Sequence, residues 1–139
     1  MARSYNACAS ILYRAVCLFK NGSVAGKKQE DIHPTGFYCS QRKIGDENIN
    51  WKDGSRNIFN FIRSICDPGP MARAFINGVE VKINKAEMVT GAVTYKCIEG
   101  AILNIDATGF IVKTKDSFIK ITEYHSDVVI KVGDRFANK

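Results

Sequence analysis

The sequence predicts a mainly β protein with two helices, in which a helix, a linker and a second helix precede a small antiparallel β-barrel. Apolar residues recur at helical spacing twice, once before residue 21 and again between Ser55 and Ile65. From residue 72 onward, short runs of alternating apolar and polar residues are separated by turn-forming pairs. A chain of 139 residues, 45% of them hydrophobic, can bury one core.

The first predicted helix spans residues 5–20. Leu12, Val16 and Phe19 fall on one face of it, and Asn21-Gly22 supplies a C-terminal stop. An amphipathic helix needs a partner, and the polar segment that follows does not provide one. Two interpretations stay open: the helix belongs to the core of another domain, or it docks on the downstream barrel.

Residues 22–50 are polar, rich in turn formers and without sustained periodicity. Such a composition is typical of a linker with at most short extended pieces. We therefore expect this segment to tether two bodies.

The second helix begins near Asp53 and Ser55, either of which can cap it. Its core-facing residues recur at three- and four-residue spacing, whereas Arg56 and Arg63 lie off that face. The core-facing set is Ile58, Phe59, Ile62 and Ile65.

Two prolines, Pro68 and Pro70, cannot continue the helix, because each lacks a backbone donor. Residues 72–76 and 79–83 then flank Asn77-Gly78, a pair that suits the positive φ angles of a two-residue hairpin turn.

Five further runs have the alternation expected of strands. With the hairpin they predict six or seven short strands, and closure into a barrel would remove exposed edges. The runs are residues 92–98, 101–105, 110–114, 118–124 and 128–132.

The formal charge of +6 and the pI of about 9.1 favour an anionic partner. The excess is spread along the chain and forms no arginine-rich tail. An ordinary solvated basic surface and a nucleic-acid footprint both remain open.

The five cysteines are scattered, with no C-x-x-C pair, and the chain has two histidines. This pattern argues against a zinc site or a disulfide framework and favours reduced, mostly buried thiols. No apolar run approaches the ~20 residues that span a bilayer, and no signal-type segment follows Met1. The expected location is the cytoplasm, without membrane contact.

Four motifs occur in a recognisable order: Ile49-Asn50-Trp51, the helix pattern Ile58-x-Asn60-x-Ile62-Arg63, Pro68-Gly69-Pro70, and a hairpin ending Val81-x-Ile83. This order resembles the start of the C-terminal domain of the methionyl-tRNA formyltransferase family, and sugar N-formyltransferases share much of it. The upstream Asn21-Gly22, Gln29 and residues 37–43 agree with the resemblance.

The resemblance implies that residues 1–36 are the terminal helix and linker of a truncated catalytic domain. It implies that residues 37–139 form the C-terminal domain, a barrel of the oligonucleotide-binding type. The rest of the N-terminal catalytic domain would be missing from this chain and would be its natural partner.

The family transfers a formyl group from 10-formyltetrahydrofolate to an amine, using an Asn, a His and an Asp of the catalytic domain. These motifs do not occur here, so we predict no catalytic residue, no metal and no cofactor bound by this chain. His33-Pro34 resembles the family's His-Pro dipeptide, but Asp31 stands in the Asn position and the dipeptide follows the closing helix.

What the resemblance leaves for this chain is substrate binding, with tRNA as the expected partner. The alternatives are the same region of a sugar N-formyltransferase, whose substrate is a nucleotide-linked amino sugar, and a stand-alone RNA-binding barrel. The family positions Trp51, Asn60 and Arg63 are expected to anchor linker and helix to the barrel. The candidate contacts to tRNA are Arg42, Lys43, Arg73, Lys82, Lys96, Lys113, Lys115 and Lys120. For each of them, the solvent face of a strand is the alternative.

Overall fold

The computed structural model describes residues 2–137, with side chains from residue 4 onward. It divides into two compact units, residues 1–41 and 42–139. The first unit contains helix α1, Ala2–Lys20, and a short helix α2, Gln29–Ile32. The first helix is as predicted, and it stops where Gly22 takes a φ of 64°. The apolar side chains Leu12, Val16 and Phe19 are exposed. Helix α2 was not predicted within the linker.

In the second unit, helix α3 spans Ser55–Ser64 and is also as predicted. The predicted cap is wrong: the N-cap position is Gly54, and neither Asp53 nor Ser55 supplies a side-chain cap. The helix ends before Pro68, whose peptide bond with Asp67 is cis.

Five antiparallel strands follow, β1 Ala72–Ile76, β2 Val79–Met88, β3 Ile102–Asp106, β4 Gly109–Lys113 and β5 Phe118–Ser126. Their order in the sheet is β1-β2-β5-β4-β3. The hairpin between β1 and β2 is confirmed: Ile76 pairs with Val79, and Asn77 and Gly78 take φ angles of 51° and 85°.

Two of the predicted strands are wrong. Residues 92–98 form no ladder: the Tyr95 N–H donates to Asp116 O, and Val93 and Ile98 are exposed. Residues 128–132 are also unpaired, although Val128 and Ile130 pack against the core. At residues 128–132 the alternation reports burial on one side and not pairing.

A closed or nearly closed barrel was predicted, but the five strands are not closed into a barrel by hydrogen bonds, because within residues 2–137 no ladder joins β1 to β3. Backbone bonds of the C-terminal segment reach both edges instead. The Phe136 N–H donates to Gly100 O, just before β3, and the Ala137 N–H donates to Phe75 O of β1, at 2.9 and 2.8 Å.

The core lies between α3 and the sheet. Trp51 and Phe136 are both fully buried there, and their rings stack with centroids 5.0 Å apart. The prediction of mostly buried thiols is wrong: Cys8, Cys39 and Cys97 are exposed and the other two are partly exposed. No helix among the described residues has the length and apolar character needed to cross a bilayer.

Candidate nucleic-acid interface

On β1 and β2, two candidate cations share one carboxylate. Arg73 and Lys82 are register partners. The Arg73 guanidinium lies 3.2 Å from one oxygen of Glu80, and the Lys82 ammonium lies 3.7 Å from the other. Both cations are therefore partly neutralised where they stand.

Lys120 on β5 is paired in the same way, because its ammonium donates to the Asp106 carboxylate at the end of β3. This hydrogen bond, with further bonds from Thr108, holds the pKa of Asp106 well below its usual range. Asp106 thus stays ionised as the partner of Lys120.

Lys113 is buried, which separates it from the other candidates. It has no exposed surface, its ammonium donates to Thr114 O, and it lies 4.5 Å from the centre of the Tyr95 ring. Burial, followed by the nearby Cys97, raises the pKa of Tyr95. In this conformation Lys113 offers no charge to a ligand in solvent.

The other four candidates are exposed: Arg42, Lys43, Lys96 and Lys115. Within the described part of the chain, none of their side chains has a carboxylate within 4.0 Å. Arg42 and Lys43 open the second unit, whereas Lys96 and Lys115 lie close to the start of α3.

The start of α3 is bound by Asp116, which lies 61 residues after Ser55 in the sequence. Its Oδ1 accepts hydrogen bonds from the Ser55 N–H and the Ser55 hydroxyl, both at 2.8 Å, and from the Ser117 N–H at 2.9 Å. The Thr114 hydroxyl donates to the same oxygen at 3.1 Å. Asp116 therefore satisfies a first-turn N–H that has no partner within the helix.

These bonds also set the charge of Asp116. The backbone N–H of Ser55 has the largest effect, and with the hydroxyls of Ser55 and Thr114 it lowers the pKa of Asp116 to about 2, although burial opposes the shift. The carboxylate is ionised at neutral pH and committed to the helix end.

Three backbone segments meet around this carboxylate. The Lys115 N–H donates to Asp53 O at 3.1 Å, and the Tyr95 N–H donates to Asp116 O at 3.0 Å. Three exposed lysines lie at these bonds. Lys115 is a partner in the first bond, Lys52 precedes Asp53 in the sequence, and Lys96 follows Tyr95. We call these three residues the lysine cluster. Asp53 and Asp116 are the acidic residues of the same segments.

Two arginines lie along the solvent side of α3. The guanidinium carbons of Arg56 and Arg63 are 5.9 and 5.6 Å from the centre of the Phe59 ring. Both arginines are exposed, and no carboxylate lies within 4.0 Å of either among the described residues. We call Arg56 and Arg63 the arginine pair.

The predicted anchoring residues occupy different places. Trp51 is fully buried against Phe136, whereas Asn60 and Arg63 are exposed on α3. Arg63 contacts Phe59, which packs partly against the core. His33 lies in the first unit, where its Nδ1 is 2.5 Å from Thr35 O. No group of three or more metal-ligating side chains occurs among the residues described.

Sequence reasoning missed Lys52 and Arg56. Lys52 could not be found from a strand pattern, because its neighbours Lys96 and Lys115 are distant in sequence. Arg56 left a readable signal: Arg56, Phe59 and Arg63 recur at helical spacing in a helix without an acidic residue.

Comparison with known proteins identifies the family of the chain. Residues 43–130 match the model of the formyl transferase C-terminal domain, and the chain belongs to that family.

Three relatives that the chain resembles are all methionyl-tRNA formyltransferases. The chain is 30% identical to the methionyl-tRNA formyltransferase of Clostridium acetobutylicum over 118 residues, which are 85% of this chain and 36% of that protein. It is 34% identical to the methionyl-tRNA formyltransferase of Mycoplasma mycoides over 105 residues, 73% of this chain and 33% of that protein. The Fusobacterium nucleatum enzyme of the same name is 32% identical over 114 residues, 82% of this chain and 36% of the enzyme. The chain thus spans about a third of the length of these relatives.

Proposed function

We propose that this chain is the tRNA-binding C-terminal portion of a methionyl-tRNA formyltransferase. In this proposal residues 37–139 bind tRNA, and residues 1–36 are the last helix and linker of the catalytic domain. The formyl donor, 10-formyltetrahydrofolate, is bound by that domain and not by the residues described above. The reaction served is formylation of initiator methionyl-tRNA in the cytoplasm.

One observation carries the proposal beyond family membership. Cations without a carboxylate partner among the described residues lie around α3, in the lysine cluster and the arginine pair, whereas the sheet candidates Arg73, Lys82 and Lys120 are paired. Unpaired lysines and arginines bind phosphate with release of counterions from the nucleic acid. The names of the relatives and the net charge of +6 agree with an RNA partner.

The test is direct binding of initiator tRNA to the 139-residue chain. Fluorescence anisotropy of labelled tRNA is measured from about 50 to about 200 mM KCl. We expect log K to fall linearly with log salt, with a slope of about −0.7 to −0.9 for each phosphate contacted.

Two results would contradict the proposal. The first is absence of tRNA binding at low salt, and the second is weak binding that salt does not change. Binding of a nucleotide-linked amino sugar, measured by calorimetry in the absence of tRNA, would favour the role of a sugar N-formyltransferase instead.

A further inference from the structure

We propose that the solvent side of α3 is a phosphate-binding surface for RNA, in which Arg56 and Arg63 each bind a backbone phosphate and Phe59 positions both. This inference rests on the proposed function and assigns a role to residues outside the lysine cluster. It also gives Arg63 a ligand-binding role in place of the anchoring role expected from the sequence.

The spacing of the two arginines suits a shared ligand. Positions seven apart on an α-helix lie about 10.5 Å apart along the axis and about 20° apart around it. Arg56 and Arg63 therefore face the same side of α3, with Phe59 between them. One extended phosphate backbone can contact both.

Both arginines contact the same aromatic ring. Each guanidinium lies within 6 Å of the Phe59 ring centre, at 5.9 and 5.6 Å, which is the range of a cation–π contact. A positioned guanidinium loses less side-chain freedom on binding phosphate than a mobile lysine does. Phe59 thus acts as a positioning residue.

The helix itself is a rigid support. Ile58 and Ile62 are 2% and 1% exposed on its buried face, and Asp116 holds its first turn. A contact surface on such an element keeps its geometry when the ligand binds.

In the part of the chain that the structure describes, no carboxylate lies within 4.0 Å of the two guanidiniums. Helix α3 contains no acidic residue. On neighbouring elements, Asp116 accepts bonds from Ser55 and Thr114, and Glu123 accepts a bond from Asn84 Nδ2 at 2.7 Å. Both carboxylates have other partners.

The position of Arg56 is unfavourable for the helix alone. It stands in the first turn of α3, where the positive end of the helix dipole disfavours a cation. Because the Asp116 carboxylate occupies the first donor of this helix end, an anion bound at Arg56 would contact its exposed guanidinium.

The test compares two double variants of the full chain that remove the same charge. Arg56→Gln with Arg63→Gln removes the arginine pair, and Lys82→Gln with Lys120→Gln removes two cations that the structure shows paired with carboxylates. Affinity for labelled initiator tRNA is measured by anisotropy over the salt series. We expect the arginine variant to bind on the order of tenfold more weakly at 0.1 M salt, with a shallower salt slope by about 1.4 to 1.8. The lysine variant should change affinity less than about threefold.

A third variant separates position from charge. Arg63→Gln with Ser64→Arg keeps the net charge and moves the cation about 100° around the helix, away from Phe59. It should bind as weakly as Arg63→Gln alone. The thermal midpoint of Arg56→Gln should not fall, which distinguishes a binding role from a structural one.

The outcomes separate the two proposals. If the wild-type chain binds tRNA and the arginine variant behaves like the lysine variant, the surface on α3 is overturned and the proposed function stands. Wild-type affinity in the relocated variant would overturn the role of Phe59 in positioning. If the wild-type chain binds no tRNA, both proposals are overturned.

Discussion

The cations of the sheet and the cations around α3 differ in what their neighbouring carboxylates do. On the sheet, Glu80 lies against Arg73 and Lys82, and Asp106 against Lys120. At the start of α3 the carboxylate of Asp116 binds backbone and hydroxyl donors, so the adjacent lysines keep their charge unpaired. A basic residue on a strand is therefore a poor guide to a binding surface. The partners of the nearest carboxylates are a better guide.

Both surfaces depend on one core, and its disruption should have the largest effect. Trp51 is 0% exposed and stacks on Phe136, whose backbone bonds to the segment before β3. Trp51→Ala should lower the free energy of unfolding by about 3–5 kcal/mol. Because Trp51 is the single tryptophan, urea unfolding is followed by circular dichroism. Exposed Lys96→Gln serves as the control, with a change within about 0.5 kcal/mol. A loss below ~1 kcal/mol for Trp51→Ala would show that the two surfaces do not share this support.

Replacing the lysine cluster tests whether the unpaired cations around α3 bind tRNA more strongly than the paired cations of the sheet do. The triple replacement of Lys52, Lys96 and Lys115 by Gln should weaken tRNA binding about 10- to 100-fold at 0.1 M salt, because each lysine releases counterions on contact with phosphate. The matched control replaces Arg73, Lys82 and Lys120 by Gln, because all three cations are paired with carboxylates. Equal losses in the two triple variants would mean that only net charge matters and that pairing with carboxylates is irrelevant.

Replacing Asp116 should have a smaller effect, which is on the free energy of unfolding. Asp116→Asn weakens the acceptor at the start of α3 and should cost about 1 kcal/mol at pH 7, as loss of a helix cap does. The pKa of Asp116 is lowered to about 2 in the folded chain from an ordinary value of 3.8. Its contribution is therefore present above pH 4 and is lost as the pH falls through about 2.

Urea unfolding monitored by Trp51 fluorescence between pH 5 and pH 2 checks this prediction. The wild type should lose more stability than Asp116→Asn over that range. Parallel curves for the two proteins would show that Asp116 does not cap α3.

Local signals explain which parts of the fold the sequence predicts. The turn at Asn77-Gly78 requires positive φ angles, which this pair adopts readily, so the hairpin was predictable. Helix α3 was predictable from spacing and from the prolines after it. The failure at residues 128–132 is also physical, because apolar alternation there records which side of the segment packs against the core and not whether a neighbouring strand pairs with it.

The surface was less predictable than the fold, because it depends on partners distant in sequence. Nothing near Ser55 indicates that its cap is Asp116, and nothing near Lys113 indicates that Tyr95 covers it. Arg42, Lys43, Lys96 and Lys115 remain predicted contacts, and Lys52 and Arg56 are proposed beside them. The helical spacing of Arg56, Phe59 and Arg63 is readable from the sequence, because it depends on a single helix.

The smallest effect is expected from removing the first helix. Every described buried hydrophobic residue lies between Ile49 and Phe136, so none of the described side chains of residues 4–22 is among them. Deletion of residues 1–22 should change the free energy of unfolding of residues 42–139 by no more than about 0.5 kcal/mol and leave tRNA affinity unchanged within about twofold.

A longer deletion, of residues 1–50, provides the control. It removes Ile49, which is 3% exposed, and the two backbone bonds that join residues 47–49 to Arg73. That chain should lose more than about 2 kcal/mol, because a buried side chain and two edge bonds of β1 are lost together. If the shorter deletion already abolishes a cooperative melt, α1 docks on the sheet unit. The lysine cluster and the arginine pair would then have to be re-examined in a chain whose α3 depends on that helix.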